Sequence, residues 1–165
     1  MSERAQMLAN EFERANEDFI AAVEALSDAD WRARCEPEGW TVAAAARHVG
    51  SWYPLVATIV REIAAGRPMS MTGEQVDEIN DREAIEHAAC PKEEVVSLLR
   101  REGKAMASLV RALTDEQLSS TSRLFFGRAR QVSAENIIER VLIPHTGSHL
   151  ASIEAAKRLI ARGGG

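Results

Sequence analysis

Apolar residues recur at spacings of three and four along four long stretches of this chain, the period of one helical face. In residues 3–26 the repeat is Leu8, Phe12, Ala15, Phe19, Ala22 and Leu26, with charges between them. Ser27-Asp28-Ala29-Asp30 interrupts it and offers capping oxygens. Residues 31–39, which include Pro37 and Gly39, read as a connection. A second helix begins at Thr41, whose hydroxyl suits an N-cap, and stops before Gly66-Arg67-Pro68. Its inner face carries Ala45, His48, Trp52, Leu55 and Ile59. Pro54 lies inside it, removes a backbone donor and predicts a kink.

Residues 66–91 are less regular. Within them 75–89 predict a shorter helix, with Val76, Ile79, Glu83 and His87 along one side. Pro91 suits the first position of a third long helix. Its stripe is Val95, Leu99, Glu102, Met106, Leu109 and Leu113, weakened in the middle by Gly103. Thr114-Asp115-Glu116-Gln117 has capping-box form and starts one short turn. Residues 119–132 read as an exposed connection with room for a short hairpin. Ser133 caps the last long helix, which runs to about residue 161. Its stripe is Ile138, Val141, Leu142, His145, His149, Ile153, Ala156 and Ile160.

Four long amphipathic helices without a convincing strand predict an all-α fold, a four-helix bundle. The long crossover between helices 2 and 3 lets those two run parallel, giving up-down-down-up order with helix 4 antiparallel to helix 2. Residues 1–162 form one domain and 163–165 a flexible glycine tail.

Composition narrows the function. At 165 residues, 45% hydrophobic and 27% charged, the chain can bury a core without disulfides. A formal charge of −5 and the lack of a Lys/Arg cluster exclude a nucleic-acid footprint. No apolar run approaches a membrane span or a signal peptide. Cys35 and Cys90 lack a CxxC pattern and read as reduced thiols of a cytoplasmic protein.

The candidate chemistry lies in Pro144-His145-Thr146-Gly147-Ser148-His149. Residues i and i+4 share a helical face, so both rings reach one point. That point lies on the apolar stripe, where imidazoles need a hydrogen-bond partner or a metal. His48 sits on the matching stripe of helix 2. Three imidazoles with an open fourth position suit a catalytic rather than a structural ion. Trp52 reads as a core residue or a pocket wall, and Asn80 as a turn residue or a ligand contact. His87 reads as exposed, and Arg128 and Arg130 as solvated loop charges, with carboxylate recognition the alternative.

Gly39-Trp40-Thr41-Val42, followed by His48 seven residues after Thr41, resembles the second-helix signature of the DinB-like (damage-inducible) superfamily. His145 and His149 match the HxxxH pair on that superfamily's last helix. The chain is similar in particular to the branch of mycothiol-dependent maleylpyruvate isomerases and thiol S-transferases. There a segment like Val76-Asp77-Glu78-Ile79-Asn80 brings a polar side chain near the pocket. The resemblance implies one divalent ion (zinc, nickel, iron or manganese) on His48, His145 and His149. Its expected partner is mycothiol or another small thiol, with Trp52 and Asn80 contacting the substrate. A metal-dependent hydrolase on the same histidines and a non-enzymatic, stress-associated ligand-binding bundle stay open beside a thiol transferase. Apolar surface on such bundles also suits a homodimer.

Overall fold

The computed structural model describes residues 2–36, 38–126 and 128–163, the side chains of 125–129 and 163 excepted. Helix α1 (Glu3–Glu24) starts where the Ser2 hydroxyl accepts from the Ala5 N–H. The capping oxygens of Ser27 and Asp30 close on one another and build a one-turn helix, α2 (Asp28–Arg32), at the start of the expected connection. It buries Trp31, whose indole N–H donates to the Cys90 carbonyl at 2.8 Å. Helix α3 (Val42–Ala64) follows, capped by Thr41 as expected and continuous through Pro54. Helix α4 (Gly73–Glu86) is the shorter helix of the crossover; it has no fully buried residue and packs on α3. Helix α5 (Lys92–Arg111) has Pro91 as its N-cap, one position earlier than expected, and α6 (Asp115–Ser119) is the short turn that the Thr114 capping box predicts.

Ion pairs fix the helix directions. The Lys92 ammonium donates to the Leu26 carbonyl at 2.6 Å, Arg100 reaches Glu24 at 2.7 Å and Arg111 reaches Glu13 at 2.6 Å. Helix α5 therefore runs antiparallel to α1. Arg4 pairs with Glu135, bringing the start of the last helix to the start of α1. The order is up-down-down-up, with α1 and α3 each packed against α5 and α8.

The core holds Phe12, Phe19, Ile63, Leu99, Met106 and Ile138, each fully buried and each contributing about 1.5–3 kcal/mol relative to exposure. A polar thread crosses it. The Tyr53 hydroxyl donates to Asn16 Oδ1 at 2.9 Å, and Asn16 Nδ2 donates to the Leu99 carbonyl at 3.3 Å. Gly103 makes room for it, because a Cβ there would lie 2.2 Å from Asn16 Nδ2. The residue that weakens the α5 pattern is thus required by packing.

Three strands correct the expectation of a strandless chain. β1 (Met69–Met71) pairs parallel with β2 (Thr121–Phe126), Met69 opposite Leu124, and β2 pairs antiparallel with β3 (Arg128–Ser133). Ser122 and Leu124 alternate inward with Thr121 and Arg123 outward, so residues 119–132 are a half-buried hairpin rather than an exposed connection. The sheet closes the end of the bundle where α3 stops, and the Ser120 hydroxyl donates to the Ile63 carbonyl at 3.1 Å.

The last helix is built in three pieces: α7 (Ala134–Ile137), a π turn (Ile138–Leu142) and α8 (Ile143–Gly163). In the π turn the Ile143 N–H reaches back five residues to the Ile138 carbonyl. This wide turn immediately precedes Pro144, which has no N–H to continue the regular ladder. Val141 and Ile160, expected on the inner stripe, are 40% and 38% exposed. Thr146 is buried in their place. Among the described residues no helix is long and apolar enough to cross a membrane. Gly164 and Gly165 of the expected tail lie outside the described residues.

Candidate metal centre

The loop before α3 sets one wall of the site. Gly39 has φ of 72°, a conformation that glycine adopts without strain, and its N–H donates to the Cys35 carbonyl at 2.8 Å. The Cys35 N–H returns a bond to the Trp40 carbonyl at 2.8 Å, and Arg34 and Thr41 form a single antiparallel bridge. Thr41 then accepts from the Ala44 N–H at 3.1 Å and donates to the Ala88 carbonyl at 2.7 Å. This doubly tied start fixes the azimuth of α3, and His48 points inward with 3% exposure.

From α8, His145 and His149 project toward the same place. One ring nitrogen from each of His48, His145 and His149 lies within 4.8 Å of the others, a group able to hold a metal ion. His48 Nε2 and His145 Nε2 stand 3.1 Å apart, and ring centroids are separated by 5.0, 5.0 and 4.6 Å. Two nitrogens bound tetrahedrally to one zinc ion at about 2.0–2.1 Å stand about 3.3 Å apart, close to the 3.1 Å between His48 and His145.

Burial sets the protonation. Desolvation and the neighbouring imidazoles push the His48 pKa down to about 2, and desolvation followed by His149 takes His145 down to about 4. His149 is also lowered by burial, with the Glu38 carboxylate pulling the other way. All three rings are neutral near pH 7, the form that ligates a metal. Nδ1 of His48 and of His149 is buried without a hydrogen-bond partner.

Two tryptophans flank the rings. The Trp40 ring lies 5.1 Å from His48 and nearly parallel to His149 at 6.4 Å. Trp52 lies 5.4 Å from His48 and 5.9 Å from His145. The Trp52 indole N–H donates to Asn80 Oδ1 at 3.2 Å, and the Ser51 hydroxyl donates to Glu83 at 2.7 Å, so α4 is pinned over this part of α3. The structure thus brings Trp52 to the histidines and ties Asn80 to the Trp52 indole.

Other candidates fall elsewhere. His87 is the C-cap of α4, half-buried rather than exposed, and stands outside the three-histidine group. Cys35 and Cys90 are unpaired; burial pushes the Cys35 thiol up to about 11 and raises Cys90. Arg130 is exposed on β3, in a cleft shared with Asn136 and Arg140. The side chain of Arg128 lies outside the described residues. Sequence reasoning missed Trp40 as a wall and Glu38 as a neighbour of His149. The usable signal was their position eight to ten residues before His48, on either side of Gly39 in the loop that leads into α3.

Residues 12–132 match the model of the mycothiol maleylpyruvate isomerase N-terminal domain, a span that includes His48, Trp52 and Asn80 and ends before His145. Among solved structures, YfiT from Bacillus subtilis is described as a probable metal-dependent hydrolase with an unusual four-helix bundle topology. It superposes with a TM-score of 0.76 at 18% identity, covering 98% of this chain and 90% of that one. The mycothiol-dependent maleylpyruvate isomerase superposes with a TM-score of 0.72 at 11% identity, covering 93% of this chain and 63% of that one. An uncharacterised protein from Clostridium difficile 630 gives a TM-score of 0.72 at 14% identity, covering 97% of this chain and 99% of that one. No curated protein matches the sequence.

Proposed function

We propose that this chain, which belongs to the mycothiol maleylpyruvate isomerase N-terminal domain family and has the DinB-like fold, holds one divalent metal ion on His48, His145 and His149 and acts with a low-molecular-weight thiol as a transferase or isomerase. The observation that carries the metal is the convergence within 4.8 Å of three neutral imidazoles from two helices, His48 and His149 buried and His145 half-buried. The family match supports the thiol.

A bound cation supplies Lewis acidity, lowering the pKa of a thiol or water that joins it. The protein's own part is positional. Three protein nitrogens leave a coordination position free, whereas structural zinc sites fill all four with protein atoms. Trp40 and Trp52 keep bulk water from the rings and present flat apolar surfaces to a substrate. Asn80 holds the Trp52 indole in place and offers its remaining polar atoms to that substrate. These features support a small-molecule pocket whose substrate contacts include Trp52 and Asn80.

A metal-dependent hydrolase on the same histidines is the second reading, favoured by the likeness to YfiT over nearly the whole chain. Untagged protein should contain about one equivalent of metal, lost in His145→Ala and His149→Ala. Metal-free wild type after reconstitution with zinc, nickel, iron and manganese would overturn the site. In cobalt-substituted protein, mycothiol, bacillithiol, glutathione or cysteine should shift the visible spectrum; silence toward all four favours the hydrolase.

A further inference from the structure

Glu38 is half-buried beside the site, and its two carboxylate oxygens are treated differently. Oε1 accepts from the Ser152 hydroxyl at 3.2 Å, whereas Oε2 is buried with no partner. Ser152 lies three residues beyond His149 on α8, so this bond carries the carboxylate onto the helical face above His149. The same loop stacks Trp40 almost parallel to the His149 ring. His149 Nδ1 is itself buried and without a partner. A buried carboxylate oxygen left unmatched is costly, and so is a buried ring N–H. Neither atom is bonded in this structure, and the pull of the Glu38 carboxylate on His149 puts the two groups within electrostatic reach of each other.

We propose that Glu38 is the positioning residue of His149: a small side-chain rotation lets its Oε2 accept the His149 Nδ1–H, fixing the tautomer that leaves Nε2 free for the ion. This rests on the reading of His149 as a metal ligand. Glu38 itself lies outside the group whose atoms converge for direct ligation, so it acts through the imidazole rather than on the ion. Carboxylates placed behind ligating histidines orient the ring and raise its basicity. The Glu38 electrostatic pull on His149, opposite to that of burial, agrees with this pairing. Ser152 holds the second carboxylate oxygen and keeps the group from swinging into solvent.

Two readouts test it. In metal-free protein with ¹⁵N-labelled histidine, His149 should show the Nδ1–H tautomer in wild type and a tautomer mixture in Glu38→Ala. Chelator competition should show metal affinity falling about 10–100-fold in Glu38→Ala, less in Glu38→Gln, which keeps an acceptor oxygen. Ser152→Ala, which removes one half-buried hydroxyl, should give an intermediate loss and covers the case in which Glu38→Ala folds poorly. An Nε2–H tautomer in wild type, or the same tautomer in wild type and Glu38→Ala, overturns the pairing. If wild type takes up no metal, the metal reading fails, and the tautomer measurement still decides the role of Glu38.

Discussion

The Tyr53 hydroxyl meets the Thr146 hydroxyl at 3.2 Å, a buried bond that ties α3 to α8. Tyr53 lies five residues after His48, and Thr146 directly follows His145. The bond therefore holds the helices in the register that places His48 against His145. With the Tyr53 proton given to Asn16, the Thr146 proton is shared between Tyr53 Oη and the Leu142 carbonyl, 3.3 Å away at the end of the π turn.

Tyr53→Phe removes the hydroxyl that joins Asn16 to Thr146 while keeping the ring. It strands Asn16 Oδ1 in the core, and an unmatched buried acceptor costs about 1–3 kcal/mol. Urea unfolding should show a midpoint shift of that size, with the helical circular dichroism of the folded state unchanged. An unshifted midpoint would show that the polar thread contributes nothing.

Gly103→Ala should destabilise although alanine is the better helix former. The propensity gain is about 1 kcal/mol, but the new methyl would meet Asn16 Nδ2 at 2.2 Å and break its bond to Leu99. A net loss of about 1–2 kcal/mol is expected, since overpacking and a lost buried bond outweigh propensity. Asn16→Ala should make the same Gly103→Ala change neutral or stabilising. Additive losses in the double variant would rule out this contact as the cause.

Metal-free protein should lose stability as pH falls below about 6.5, the ordinary imidazole value. The unfolded chain there binds protons that the buried rings refuse, so unfolding becomes easier with each step down in pH. The effect of His145 levels off near pH 4 and that of His48 near pH 2. Urea midpoints at pH 7.5 and 5.0 check the sign, and the triple change to Asn at His48, His145 and His149 should flatten the difference. A higher midpoint at pH 5.0 in the metal-free wild type contradicts burial of neutral rings.

Trp52→Ala separates holding the metal from holding the substrate. Its ring flanks His48 and His145 but offers no ligand, so metal content should stay near wild type while thiol-induced changes in the cobalt spectrum weaken at least tenfold. Asn80→Ala, which frees the indole N–H, should weaken them less. Loss of metal in both variants would make Trp52 and Asn80 supports of the fold alone.

The bundle was legible in the sequence because helical amphipathicity is local: one buried face repeats within each segment, whatever that segment packs against. Thr41, Thr114 and Ser133 mark helix starts through bonds made a few residues away, and the four long helices lie where that period places them. His48, His145 and His149 could be gathered as candidates on the same logic, since each falls on or beside an inward stripe. What depends on distant residues was hidden. β1 and β2 pair across three intervening helices, and no alternation in residues 119–132 announces a hairpin. The π turn changes which residues of the last helix face inward, exchanging Val141 for Thr146, because one added residue rotates a helix by about 100°. Gly103 reads as a defect until Asn16 arrives from α1. Glu38 reads as a loop charge until Ser152 and His149 stand over it. Sequence alone determined which faces are apolar and where the imidazoles sit on them. Tertiary packing decided which polar atoms meet inside, because burial without a partner is the cost that only contact between separate elements can remove.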